Sequence, residues 1–180
     1  MSADAYLDAA RDCILDVGWR RTTLTEVARR AGVSRMTIYR SWPDMPKLLG
    51  DLMTREWTAI VTVSDPRASI IDRVVDCVRA LRDNELFVRI VELDPELLLP
   101  YLLNRRGRSQ DLILALIEDA VRDGQAAGTV RAGNTKAIAR SLVLAAHGFV
   151  LSGHTMVDDD VSESDLYVEA RVLISRVLAP

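Results

Sequence analysis

Four side chains within six residues have the chemistry to contact nucleic acid. Two pairs at i, i+4 spacing fall on adjoining stripes of one helical surface, Arg35 with Tyr39 and Met36 with Arg40. Arginine can bond a guanine edge through two parallel hydrogen bonds, methionine can pack on a thymine methyl group, and tyrosine can bond a phosphate. The spacing therefore indicates a helix that enters the major groove of DNA; a small structural hairpin with a basic rim is the alternative.

A short helix of this kind needs a second helix to hold it, and the preceding residues predict one. Thr23-Leu-Thr-Glu26 matches a capping box, in which the threonine hydroxyl accepts from the Glu26 amide and the glutamate carboxylate bonds back. We expect this helix to stop at Gly32, where a positive φ would cost other residues about 1–2 kcal/mol. Ser34 is a good N-cap for the next helix, which should run to about Ser41.

Two helices joined by a turn of three or four residues are typical of a helix-turn-helix. Ala28 should lie where the two helices approach most closely, and Ile38 and Trp42 should point inward because they are one helical turn apart. Val27 and Ala31 are expected to complete the small core. The residues predicted to hold this motif together are Ala28, Gly32, Val33, Ser34, Ile38 and Trp42.

The charge distribution separates this segment from the rest of the chain. The 180 residues carry a formal net charge of -3, yet residues 20–47 contain seven basic and two acidic side chains. An N-terminal basic patch on an acidic remainder indicates two parts with two partners. Helical periodicity predominates and long strand alternation is absent, so we predict an all-α fold of about nine helices. The predicted domains are a DNA-binding part, 1–46, and a larger helical part, 47–180.

The stretch from Gly18 to Asp44, GWRRTTLTEVARRAGVSRMTIYRSWPD, resembles the N-terminal signature of the TetR/AcrR family of bacterial transcriptional regulators. The resemblance implies a homodimer, a third helix that reads the major groove of double-stranded DNA, and a C-terminal domain that binds a small effector and then releases DNA. Carried over by position, it implies base contacts from Arg35, Met36 and Thr37 and backbone contacts from Tyr39. It also implies base or phosphate contacts from Arg40 and a phosphate-side role for Thr23 and Thr25.

One position departs from the family pattern. The family usually has a lysine that meets a phosphate shortly after the aromatic residue at 42, where this chain has Met45. Lys47 lies two residues later and is our candidate for that contact. Arg20 or Arg21 is expected to carry part of the same role.

The last two predicted helices carry apolar stripes. A monomer could bury both stripes internally, whereas the resemblance implies that they pair with their copies in a four-helix bundle. We predict the dimer interface here, because a two-fold DNA site needs a two-fold protein. The interface candidates are Ile138, Leu142, Ala145, Phe149, Leu166, Ala170, Leu173 and Val177.

Aromatic and polar residues among apolar neighbours are candidates for an effector pocket. Each of them has ordinary core packing as its alternative, and a lone histidine on an apolar face is more often a satisfied core residue than a ligand contact. The pocket candidates are Trp57, Cys77, Phe87, Tyr101, His147 and Phe149.

Other classes of function find little support. There is no catalytic nucleophile motif, phosphate-binding loop or dinucleotide-binding fingerprint, so no enzyme, no catalytic residue and no cofactor is predicted. Three consecutive carboxylates from Asp158 need only solvent and a nearby helix N-terminus, and no metal site is expected. The N-terminus lacks an apolar signal run and the stretch 142–151 is about half a membrane span, so we predict a cytoplasmic protein without a membrane partner.

These observations predict a dimeric, ligand-responsive DNA-binding regulator, a repressor that a small-molecule effector releases from a pseudo-palindromic operator. The alternative is a small-molecule-binding or interaction protein that keeps a vestigial helix-turn-helix, which the missing lysine at Met45 keeps open.

Overall fold

A computed structural model describes residues 3–63 and 68–180, which form ten α-helices and no strand. The all-α prediction is confirmed, with one helix more than expected. The described residues divide into two compact units. The first lies within Met1–Trp57 and Asp83–Ser109, and the second within Thr58–Arg82 and Gln110–Pro180. The predicted functional division between residues 46 and 47 stays a prediction.

The first unit is built from the four N-terminal helices and from two helices later in the chain. Its helices are α1 (Ala3–Val17), α2 (Leu24–Arg30), α3 (Arg35–Ser41), α4 (Met45–Val63) as far as Trp57, α6 (Glu85–Leu93) and α7 (Leu99–Leu103). Helix α6 packs on α1, and a short 3₁₀ turn links α6 to α7.

The second unit contains the remaining helices. They are α5 (Ile70–Arg82), α8 (Arg108–Ala126) from Gln110 onward, α9 (Thr135–Ser152) and α10 (Glu163–Leu178). Helix α5 packs on α9 and α10, which also pack on each other. Arg82 bonds the Phe149 carbonyl at 3.0 Å and pairs with Glu163 at 2.8 Å, and so ties the end of α9 to the start of α10.

Local signals mark the end of α1 and place the ends of α2 and α3 as predicted. Helix α1 ends before Gly18, whose φ is +82°. The Thr23 hydroxyl accepts from the Glu26 amide, and the Ser34 hydroxyl accepts from the Thr37 amide, each at 3.2 Å. The cap satisfies amides that have no partner within the helix.

The return half of the predicted capping box is wrong. The Glu26 carboxylate accepts two hydrogen bonds from Arg29, at 2.6 and 2.9 Å, and does not return to Thr23. A guanidinium one turn along the helix offers two charge-assisted bonds, which are stronger than one bond from a neutral amide.

Helix α4 begins at Met45, just before Pro46. The Asp44 carboxylate accepts from the Lys47 amide at 2.8 Å, and this bond caps a helix whose first residue is Met45. Pro46 therefore falls in the first turn, where its missing N–H leaves no bond unmade.

The core of the first unit contains residues of α1, α2, α3, α4 and α6. Ile14, Val27, Ile38, Leu48 and Leu52 have no exposed side-chain surface. Ala28, which is 1% exposed, lies in this core as expected for the contact of α2 with α3. The second unit has its own core, formed by Val74, Val75, Val78, Leu114, Val121, Val130, Ile138, Ala139, Leu142, Val143, Val150, Tyr167, Ala170, Ile174 and Leu178.

Gly32 offers a test of the turn between α2 and α3. Its φ is +67°, and a Cβ there would meet no atom within 4 Å, so only the backbone conformation disfavours a side chain. We expect Gly32→Ala to lower the free energy of unfolding by about 1–2 kcal/mol in urea titrations. Gly50 lies inside α4 with equally open surroundings. Gly50→Ala is the matched control and should raise stability by about 0.5–1 kcal/mol. Equal effects of the two substitutions would contradict the turn geometry.

Candidate nucleic-acid interface

Helix α3 separates its two faces sharply. Ile38 is fully buried and Trp42 is 4% exposed, whereas Met36 is 74% and Tyr39 47% exposed. Arg35 and Arg40 are exposed as well. The structure thus turns inward the two residues predicted to point inward and leaves the four candidate contact residues open to solvent.

Four of the seven basic side chains between residues 20 and 47 lie in ion pairs within the first unit. These pairs are Arg20 with Glu96 at 2.5 Å, Arg29 with Glu26 at 2.6 Å, Arg30 with Asp16 at 2.5 Å, and Lys47 with Asp51 at 2.6 Å. Such exposed pairs contribute little stability, but they cancel charge locally.

The other three cations are Arg21, Arg35 and Arg40. Within the described parts of the chain, no carboxylate lies within ion-pair distance of any of them. Two of the three are on α3, so uncompensated positive charge accumulates on its exposed face. A face of this kind attracts polyanions, of which a DNA backbone is one.

The candidate threonines occupy different environments. Thr23 is exposed and its hydroxyl already caps α2, while Thr25 is partly buried in the first turn of the same helix. The Thr37 and Ser34 hydroxyl oxygens are 2.9 Å apart, so these two side chains orient each other at the start of α3. The structure brings Thr37 to the N-terminal end of α3 beside Arg35 and Met36.

Lys47 belongs to a charged cluster that centres on Asp51. One carboxylate oxygen of Asp51 accepts from Lys47 Nζ at 2.6 Å and from Trp42 Nε1 at 2.9 Å, and the other accepts from Arg108. Sequence reasoning missed Asp51 and Arg108. The i, i+4 spacing of Lys47 and Asp51 was a usable signal for one pair. No local signal pointed to Arg108, which is 57 residues away from Asp51.

The same cluster shifts the titration of Asp51. Partial burial acts to raise the pKa of this carboxyl, but the hydrogen bonds from Lys47, Arg108 and Trp42 outweigh it and hold the pKa below its usual range. The carboxylate is therefore ionised at neutral pH and can hold both cations.

A buried carboxylate, that of Asp94, bonds the loop before α2. Asp94 is 2% exposed, accepts from the Trp19 amide at 2.9 Å, and lies 3.4 Å from Arg20 Nε. Glu96 also pairs with Arg20, so the Arg20 guanidinium is held by two acidic groups of the first unit. Arg20 and Arg21, the two candidates for part of the phosphate role, are both exposed, and among the described residues only Arg20 has a carboxylate within ion-pair distance.

The effector-pocket candidates divide between the units. In the first unit, Trp57 and Phe87 pack edge to face with ring centroids 5.6 Å apart, and the Arg105 guanidinium lies 5.3 Å from the Tyr101 ring. In the second unit, Cys77, His147 and Phe149 are partly buried. Burial lowers the pKa of His147 and raises the pKa of Cys77 to about 11, so both side chains are uncharged at neutral pH.

The dimer-interface candidates differ in their exposure. Ile138, Leu142 and Ala170 are at most 2% exposed and pack inside the second unit, while Ala145, Phe149, Leu166 and Val177 are partly buried. Leu173 is 44% exposed. The structure adds three exposed apolar residues that periodicity did not single out, Leu144 at 70%, Val168 at 57% and Val172 at 47%.

The structure also bears on the three consecutive carboxylates and on membrane-spanning helices. Asp158 bonds the amides of Asp160 and Val161 at 2.9 and 3.0 Å, so one of the three consecutive carboxylates stabilises its own turn. Among the described helices, none combines the length and the apolar character that crossing a membrane requires.

Comparisons with known proteins agree with this geometry. The model of the family of bacterial regulatory proteins, tetR family, matches residues 7–52, which cover α2 and α3. An uncharacterized HTH-type transcriptional regulator of Mycobacterium bovis is 31% identical over 167 residues, which is 91% of this chain and 87% of the relative. HTH-type transcriptional regulator AqdR of Rhodococcus erythropolis is 37% identical over 62 residues, 34% of this chain and 30% of its own.

Solved structures show the same fold. A TetR-family transcriptional regulator from Rhodococcus sp. aligns with a TM-score of 0.70 at 20% identity, over 98% of this chain and 97% of the other. FadR from Bacillus subtilis, in complex with stearoyl-CoA, aligns with a TM-score of 0.66 at 13% identity, over 98% of each chain.

The fold and the exposed face of α3 define a helix-turn-helix DNA-binding regulator of transcription. The chain belongs to the TetR family of bacterial regulatory proteins.

The Asp51 cluster predicts a pH dependence of stability. Because the pKa of Asp51 is lower in the folded than in the unfolded chain, its contribution is complete above the unfolded value of about 3.9. That contribution is lost as the pH falls through the folded value. We expect urea unfolding to show wild type more stable than Asp51→Asn at pH 5–7, with the difference shrinking below about pH 4. A difference that stays constant down to pH 3 would contradict the ionised cluster.

Proposed function

We propose that this chain is a dimeric repressor that binds a pseudo-palindromic operator and is released from it by a small-molecule effector. The observation that carries the proposal is α3, which buries Ile38 and Trp42 and exposes Arg35, Met36, Tyr39 and Arg40. The protein acts in the bacterial cytoplasm, where this DNA is found, and it does so without catalysis or a cofactor.

Five side chains of α3 have a contact in this proposal. Arg35, at the first residue of the helix, bonds a guanine edge, and Met36 and Thr37 contact neighbouring bases. Tyr39 bonds the phosphate backbone, and Arg40 contacts a base or a phosphate at the other end of the helix. The absence of carboxylates within ion-pair distance of Arg35 and Arg40, among the described residues, supports these roles, because no internal pair has to be broken first.

The second copy docks on the exposed side of α9 and α10. Leu144, Val168, Val172 and Leu173 present large apolar side chains there, and Gly148 leaves open space one turn after Leu144. An apolar helical face beside a glycine suits close packing of helices from two copies, and such patches mark interaction sites. The interface proposed now rests on this exposed face and leaves Ile138, Leu142 and Ala170 in the core.

The effector is an uncharged or largely apolar small molecule that binds the second unit near Cys77, His147 and Phe149. These side chains are only partly buried, and the lowered pKa of His147 makes it a neutral hydrogen-bonding group. A hundredfold loss of operator affinity requires about 2.7 kcal/mol of coupling free energy, which one buried ligand can supply.

Selection of random duplex DNA by the purified protein tests the proposal together with its symmetry. Wild type should select a pseudo-palindrome whose half-sites are about one helical turn apart, and sedimentation should give twice the 20.0 kDa chain mass. Leu144→Glu should sediment as a monomer and recover only weakly bound half-sites, whereas Leu112→Glu, at another exposed leucine, is the matched control and should behave as wild type. If wild type enriches no sequence, the vestigial helix-turn-helix is the better explanation.

The assignment of base and backbone contacts can be tested on the selected operator. Arg35→Ala should cost about 1–3 kcal/mol of binding free energy and relax the preference at one base position. Tyr39→Phe removes only a hydroxyl and should weaken all sequences alike, without a change of preference. Fluorescence anisotropy against the operator and single-base variants measures both effects. A uniform loss for Arg35→Ala would reassign this residue to the backbone.

A further inference from the structure

The Asp51 carboxylate collects donors from three separate parts of the first unit. Trp42 Nε1 comes from the residue that caps the end of α3, and Lys47 Nζ from the first turn of α4. Arg108, the first residue of α8, donates to the other carboxylate oxygen. One side chain therefore connects the end of the proposed recognition helix, the candidate phosphate contact, and a residue well outside the helix-turn-helix.

The charges of this cluster do not cancel. One carboxylate faces two cations, which leaves a net charge of +1, and the Lys47 and Arg108 side chains remain 48% and 62% exposed. Without Arg108, Lys47 and Asp51 would form a neutral i, i+4 pair in which the ammonium has no competitor for the carboxylate. With Arg108 in place, the negative charge is shared, so Lys47 can leave Asp51 without stranding a bare carboxylate.

We propose that Arg108 is a positioning residue for DNA binding, which acts by neutralising Asp51 and so frees Lys47 to bond a DNA phosphate. This inference rests on the proposed function, in which the exposed face of α3 and the start of α4 meet the operator. It also answers the departure at Met45, because a lysine that is two residues late becomes usable once its internal partner is satisfied from elsewhere.

Arg108 lies at the start of a helix whose later residues belong to the second unit. Helix α8 begins at Arg108 and continues as one helix from Gln110 into the second unit, which holds the proposed effector site. If Arg108 is withdrawn from Asp51, Lys47 is the one cation left on that carboxylate and is less available to a DNA phosphate.

A double-mutant cycle tests the proposal with the full-length chain and the selected operator. Wild type, Arg108→Gln, Lys47→Ala and the double variant are titrated by fluorescence anisotropy at several salt concentrations. We expect each single variant to lose about two- to fivefold in affinity, the scale of one exposed ion pair. In each single variant, the plot of log K against log salt should also become less steep by about 0.9, the value for one phosphate contact. The double variant should match Lys47→Ala alone.

Two controls separate the proposed role from others. Arg105→Gln removes one positive charge from the same segment. Because the Arg105 guanidinium lies over the Tyr101 ring, this variant should leave the salt slope unchanged. Arg108→Lys keeps the cation and should restore wild-type binding. In an Asp51→Asn background, where there is no carboxylate to neutralise, Arg108→Gln should have no effect on affinity.

The outcomes are distinct. Losses that add in the double variant would show that Arg108 contacts DNA itself and would overturn the proposal, as would unchanged binding by Arg108→Gln. Thermal unfolding of each variant identifies any loss that comes from misfolding, and the Asp51→Asn background then decides the question. Failure of wild type to bind any selected sequence would overturn the proposed function, before the cycle is begun.

Discussion

The DNA-binding face depends on the burial of two side chains, one within a short helix and one directly after it. Helix α3 has seven residues, and isolated helices shorter than about 12 residues are marginal in water. Its stability and orientation therefore come from packing, with Ile38 fully buried and Trp42 held edge to face against Tyr6 at 6.0 Å. Because side chains repeat every 3.6 residues, fixing these two inward also fixes which residues of α3 point outward.

Electrostatics adds to this arrangement through the location of the charges rather than their number. The seven basic residues between 20 and 47 suggest a broad patch, but four of them are held by carboxylates of the same unit. Among the described residues, Arg21 and the two arginines of α3 have no carboxylate within ion-pair distance, and the charge of those two lies where packing has already placed the exposed face. The net charge of -3 for the whole chain has little bearing on that local field.

The features that the sequence predicted well are those with local causes. The hydrogen bonds of Thr23 and Ser34 and the backbone conformation of Gly32 involve only residues within four positions in the sequence. Such caps and turns can therefore be inferred without knowledge of the fold. The contacts of Asp51 with Arg108 and of Asp94 with Trp19 join residues 57 and 75 apart, and only the folded chain brings them together. Helix α9 is a different case. It is apolar on several sides, so periodicity could not show that Leu142 would be buried and Leu144 exposed.

The unusual position of Lys47 follows from how α4 begins. Asp44 caps a helix that starts at Met45, which leaves Lys47 in the first turn, where the helix dipole favours a phosphate. Lys47 is also four residues before Asp51 on the same helix, so the two side chains are neighbours on its surface and form an ion pair. An exposed pair of this kind is worth only about 0.2–1 kcal/mol. The exchange of a carboxylate for a phosphate is therefore inexpensive, provided that Asp51 retains another cation, and Arg108 is in place to be that cation.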